Sequence, residues 1–207
     1  MNTLFQDIHK LKNNTVHHRI NKRIQEFKSV DLHSSDDLFK ELCFCLLTAN
    51  FSAERAISIH AQLHDSFCTD SKETIAKKLK ACGYRFPTTR AAYISECAKQ
   101  KKQLQKNITS LDGEDRREWL VRNIKGLGYK ESSHFLRNIG YDDYAIIDSH
   151  ILDLLKRNNL ITPPKTLTRK KYLEIEAILR TIATRTDLTL AELDMYLWYM
   201  ETTKILK

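Results

Sequence analysis

Lys130 and Asp148 are the residues of this sequence whose types and surroundings point to covalent chemistry. Lys130 closes the run Lys125-Gly126-Leu127-Gly128-Tyr129-Lys130. Leu120, Val121 and Ile124 before the run, and Phe135, Leu136 and Ile139 after it, keep helical spacing. The run is therefore a short hairpin between two helices, the second ended by Gly140. Glycines permit positive φ and leave backbone N–H groups uncovered, and such groups at a helix start bind phosphate oxygens. The plainer reading is that glycine merely lets two helices turn. Asp148 follows Ala145-Ile146-Ile147 and precedes Ile151, Leu152 and Leu155, the place of an N-cap. A lysine and an aspartate on adjoining helix starts can meet in one cleft. A lysine amine attacks carbon only after losing its proton, which the site or the bound substrate must take. An aspartate held ionised by helix N–H groups stabilises a developing cation better than it abstracts protons. The plainer reading of the pair is a phosphate contact and a cap.

The elements that would hold this pair all read as helices. Leu4, Ile8, Leu11, Ile20, Ile24 and Phe27 keep helical spacing among His17, His18, Arg19, Lys22 and Arg23, a basic face that is either solvated or turned to phosphates. Ser34 or Ser35 caps a segment carrying Leu38, Leu42, Cys45 and Leu46, and Ser52 caps the next, with Ala56, Ile59 and Leu63. Asn50, between them, is a turn residue on these grounds. Asp70 or Ser71 starts a helix over Ile75 and Leu79 that stops at Gly83. Pro87 forces Phe86 into an extended conformation. That leaves an aromatic in a loop, where it either plugs the core or stacks against bases. Thr88 or Thr89 starts the next helix, whose end is basic from Lys99 to Lys106. After Asp148, helices are predicted over 151–157 and 170–184, with a last one through Leu190, Leu193, Leu197 and Trp198. No stretch alternates as a strand would, so the fold class is all-α.

The chain has 207 residues, 42% of them hydrophobic, enough for a core in one domain or two small ones. A net charge of +8 favours a polyanionic partner. No apolar run approaches a membrane span and no signal-peptide pattern opens the chain, so an intracellular location, in cytoplasm or nucleoid, is expected. Cys43, Cys45, Cys68, Cys82 and Cys97 are scattered in apolar helical patterns and read as reduced, mostly buried thiols.

At Lys125–Lys130 and at Ile146-Ile147-Asp148-Ser149-His150 the chain resembles the helix-hairpin-helix (HhH-GPD) superfamily of DNA glycosylases. The likeness covers nearly the whole chain. Because no cysteine lies beyond Cys97, the C-terminal iron–sulfur cluster of many endonuclease III relatives cannot be built, and no metal or other cofactor is expected. Short, cluster-free and ending in Lys207, the chain is most similar to the second, mainly archaeal family of 8-oxoguanine DNA glycosylase/AP lyases. The resemblance implies two helical subdomains, 31–139 with the hairpin and 1–30 plus 140–207, with the active site in a cleft between them. It implies Lys130 as nucleophile and Asp148 as its partner, with Lys125, Gly126, Gly128 and His150 at the DNA backbone. Asn50 would meet the base opposite the lesion, and Phe86, His134, Trp198 and Lys207 would recognise the damaged base. One departure from the family pattern is the proline often found before the aspartate, replaced here by Tyr141-Asp142-Asp143-Tyr144. The implied function is a monomeric bifunctional enzyme of base excision repair, excising 8-oxoguanine from double-stranded DNA and nicking the strand. The rivals are an endonuclease III-like enzyme for oxidised pyrimidines and a non-catalytic helix-hairpin-helix DNA-binding module.

Overall fold

A computed structural model of the chain describes residues 2–207. Among them are thirteen helices and no strand. In order they are α1 (Asn2–Lys12), α2 (Thr15–Lys28), α3 (Ser35–Thr48), α4 (Ala53–Leu63), α5 (Ser66–Thr69), α6 (Lys72–Ala81) and α7 (Pro87–Ala98). Then follow α8 (Lys101–Ser110), α9 (Gly113–Asn123), α10 (Tyr129–Asn138), α11 (Ser149–Arg157), α12 (Arg169–Arg185) and α13 (Leu190–Thr202). Side-chain caps set many of the starts. Ser34, Ser52, Ser71, Asp148 and Thr168 each accept a backbone N–H of the first turn, and Thr189 and Glu192 form a reciprocal capping box.

The chain divides into two compact units: Val30–Phe135 with Leu206, and the residues up to Ser29 together with Leu136–Ile205 and Lys207. The first is built on α3, whose residues from Leu38 to Thr48 are buried apart from Lys40. A helix apolar on every side belongs inside a core, and α4, α5, α7 and α8 pack around it. The second is built on α13, against which α1, α2, α11 and α12 pack. There Val16, Ile20, Ile24 and Phe27 of α2 meet Ala191, Met195 and Tyr196 of α13. The division falls inside α10, ahead of Gly140, because Arg137 in its last turn pairs with Asp194 at 2.6 Å and lies over the Phe27 ring.

Four local features depart from the sequence reading. The N-terminal helical pattern is broken at Asn13-Asn14, where Asn14 caps α2 with its own side chain. A short α5 lies between α4 and α6. Pro87, not Thr88 or Thr89, is the first residue of α7, the position where its missing N–H costs nothing. The basic run from Lys99 is not the end of α7 but crosses into a separate helix, α8.

Candidate active site

Lys130 is the second residue of α10, and its side chain is 26% exposed. The hairpin that delivers it turns at Gly126, where φ is +94°. A Cβ there would also lie 2.5 Å from a ring carbon of Tyr93 on α7, so this glycine is required twice over. Gly128 differs. Its φ is not positive, and a Cβ would find its first neighbour, Glu131 Oε2, only at 3.5 Å. The fold would accept a side chain at 128, and its place is left open to solvent beside the start of α10. Lys125 is exposed, its Nζ 3.9 Å from Glu96 of α7. The ion-pair partner of Lys130 Nζ is Glu131 Oε1 at 3.8 Å.

Behind the hairpin, Arg117 of α9 is fully buried. It donates to Ser133 Oγ at 3.1 Å and to Glu114, and lies over the Tyr129 ring, while the Tyr129 hydroxyl donates to Glu118. These contacts lock α9 to α10 on either side of the turn. His134, one turn after Lys130, is buried edge-on against Phe44 of α3, with ring centres 5.6 Å apart. It packs against the core of its own unit.

Asn50 and Phe86 share a braced platform in the same unit. Asn50 is exposed with φ +58°, a left-handed conformation that asparagine tolerates better than most residues. Phe86 is the one large hydrophobic among the described residues that stands exposed, at 39%, so it does not plug the core. The buried Tyr84 hydroxyl donates to Leu47 O at 2.9 Å. Arg90 donates to that hydroxyl at 3.1 Å and to Ala49 O at 3.2 Å, and Arg55 donates to Gly83 O at 2.8 Å. Phe51 packs on Tyr84, with ring centres 4.5 Å apart, and the Arg85 guanidinium covers Phe86. Burial pushes the Tyr84 phenol up, so it remains a donor.

Asp148 lies in the other unit, capping α11 through a bond from Ile151 N–H to its Oδ1 at 3.0 Å. His150 in the first turn is exposed and meets the Trp198 ring edge-on, with ring centres 5.1 Å apart. The half-buried Trp198 carries an indole N–H with no hydrogen-bond partner among the described residues. Lys207 is half-buried, beyond a turn at Thr203, where φ is +58°.

A sequence profile described as 8-oxoguanine DNA glycosylase matches residues 20–188. The chain is 53% identical over 206 residues to the 8-oxoguanine DNA glycosylase/AP lyase of Methanocaldococcus jannaschii, covering 99% of each protein. The chain belongs to the 8-oxoguanine DNA glycosylase family. Among its relatives in that family, the Korarchaeum cryptofilum enzyme is 50% identical, with 99% of this chain and 98% of that one covered. The fold is similar to that of the M. jannaschii glycosylase/lyase crystallised with a 15mer DNA containing 8-oxoguanine: TM-score 0.95, 51% identity, 99% and 100% of the chains covered. It is also similar to the Thermotoga maritima 8-oxoguanine DNA glycosylase, with TM-score 0.94, 39% identity, and 100% and 99% covered.

Within this member of the 8-oxoguanine DNA glycosylase family no disulfide joins any of the five cysteines among the described residues, and Cys43, Cys45 and Cys97 are buried. Burial pushes the Cys43 thiol well up and Cys97 to about 12, which keeps both protonated. Sequence reasoning passed over Tyr84, Arg90, Arg117, Tyr172 and Glu176. Arg90, Arg117 and Glu176 look like ordinary polar helix positions, Tyr84 like a loop residue and Tyr172 like one more apolar position of α12, so nothing in the sequence marks their polar atoms as buried.

Proposed function

We propose that the chain excises 8-oxoguanine from double-stranded DNA and then nicks the strand, with Lys130 as nucleophile and Asp148 as its partner. The observation that carries this reading is Lys130 at the head of α10, two residues past a glycine the fold does not need. An open Cβ position beside a helix start admits a phosphate to the backbone N–H groups, fixing DNA without reading its sequence. A base inside the duplex must first be rotated out, at a cost of a few kcal/mol. Phe86 on its rigid platform fills the gap in the stack, and Asn50 supplies an uncharged amide to the orphaned base. The unpartnered indole N–H of Trp198 offers a donor to the extruded nucleotide, since a buried donor without a partner is costly until something takes it up.

Lys130 Nζ, once deprotonated, bonds to C1′ as the bond from C1′ to the base breaks and the base leaves with its electron pair and gains a proton. The Asp148 carboxylate stabilises positive charge on the sugar. Opening of the sugar ring gives a Schiff base between Nζ and C1′. Loss of a C2′ proton then expels the 3′ phosphate, and water releases the lysine. The chain would work where the cell's DNA is, and no helix among the described residues is long and apolar enough to cross a membrane.

The deciding experiment is borohydride trapping on a duplex carrying one 8-oxoguanine opposite cytosine, with undamaged duplex and Lys130→Gln as controls. A covalent adduct that requires both the lesion and Lys130 is the expected result. Trapping on an oxidised pyrimidine but not on 8-oxoguanine would transfer the substrate to the endonuclease III type. No adduct on any lesion, with DNA binding intact, would leave a binding module.

A further inference from the structure

Residues 141–147, which lead into Asp148, form neither helix nor strand, yet Tyr144, Ala145, Ile146 and Ile147 are all buried. Buried backbone groups require partners. Here the partners are side chains of α12. The Tyr172 hydroxyl donates to Ala145 O at 2.7 Å and accepts Ile147 N–H at 3.2 Å. Glu176 Oε2 accepts Ala145 N–H at 3.0 Å. The two residues stand one turn apart on one face of α12, and both are buried. The outer end of the strap is tied separately: Asp142 O accepts Ala191 N–H at 3.1 Å, its carboxylate pairs with Lys28, and Asp143 pairs with Arg180.

We propose that Tyr172 and Glu176 are positioning residues for Asp148, a clasp on a strap that has no proline of its own to stiffen it. The inference rests on the part given to Asp148 in the proposed reaction. A phenol is suited to the task because one oxygen both donates and accepts, so it fixes the peptides on either side of Ile146 at once. The bond to Ile147 N–H lies one residue from Asp148 and sets the direction from which that residue enters α11. Cap formation alone does not need this, since Asp148 reaches Ile151 N–H within its own helix turn. Catalysis does, because a displacement of about 1 Å in a reacting group costs on the order of a hundredfold in rate.

The test measures single-turnover excision and trapping for Tyr172→Phe, Glu176→Leu and Glu176→Gln, each in the wild-type and Asp148→Asn backgrounds, at a temperature where all remain folded. Tyr172→Phe keeps the buried ring and removes only the clasp. The expected result is a rate about tenfold lower for Tyr172→Phe and for Glu176→Leu, with KM within about twofold of wild type. Glu176→Gln, whose amide oxygen still accepts Ala145 N–H, should recover the rate. In the Asp148→Asn background, Tyr172→Phe should cost less than about twofold, because the residue acts through a carboxylate no longer present. Equal losses in both backgrounds would mean a purely structural role and overturn the clasp, as would an unchanged rate for Tyr172→Phe. Should Tyr172→Phe not fold, the Glu176 pair decides by the same comparison. Asp148→Asn at the wild-type rate would sink the reading of Asp148 itself, a result distinct from failure of the clasp.

Discussion

The hairpin before Lys130 and the strap before Asp148 deliver the two candidate catalytic side chains by opposite means. At the hairpin the chain turns on its own backbone. Gly126 takes a positive φ, Leu127 is buried, and the α9–α10 pair is locked by residues close in sequence, such as Arg117 and Ser133. At the strap the backbone has no regular structure, and its buried groups are held by Tyr172 and Glu176, far along the chain on α12. Short-range devices leave a signature in the sequence, because glycines and caps must stand at fixed offsets. Long-range devices leave none, because a tyrosine on a helix looks the same whether its hydroxyl meets water or a buried peptide.

The largest effect expected on this comparison is at the end of the hairpin. Lys130→Gln should lower lesion-dependent strand cleavage by at least about 10³-fold while duplex affinity changes by less than about tenfold, read by gel assay and by titration. Gly126→Ala would break the turn itself. Positive φ and the Tyr93 ring together should cost about 3 kcal/mol, a fall in thermal midpoint of roughly 6–12 °C. Gly128→Ala sharpens the contrast. Stability should stay within about 0.5 kcal/mol, while affinity for any duplex, damaged or not, falls about tenfold as a phosphate loses its approach. Unchanged affinity there would leave the turn as a fold device only.

The smallest effect tests charge away from the site. Lys101, 2.8 Å from Asp36, holds that carboxyl below its ordinary 3.8, through a hydrogen bond first and charge second. A carboxyl lowered on folding adds stability above its unfolded value and loses it as pH falls through the folded one. Asp36 is 59% exposed, so solvent screens the pair. Asp36→Asn should therefore cost less than about 0.5 kcal/mol at neutral pH, with the difference from wild type fading as the pH falls below the ordinary carboxyl range, measured by denaturant unfolding.

Much of the fold was legible for the same reason the hairpin was. Ser52 and Asp148 stand where periodic apolar residues begin, and Gly83 and Gly140 where they stop; the structure gives each that place. The break at Asn13-Asn14 was not legible, because the apolar stripe runs on across it. Pro87 was misread as a loop residue ahead of α7, since the rule for the residue before a proline does not say whether a helix opens on the proline. His134 stands four residues after Lys130, a spacing that puts both on one face of α10, but spacing fixes only a face. Which neighbour covers that face is decided by α3, where Phe44 lies against the ring.

By itself the sequence determined most of the helices, the hairpin and its lysine, the capping aspartate, and a resemblance that named a reaction. All of these depend on residue type and offset along a few turns. The tertiary structure decided which polar side chains are buried, and so which ones act as braces. Arg90 and Tyr84 tie the loop of Asn50 to that of Phe86, Arg117 locks the hairpin, and Tyr172 and Glu176 hold the strap before Asp148. The physical reason is that a buried peptide group must find a partner somewhere, and only packing determines which helix provides it.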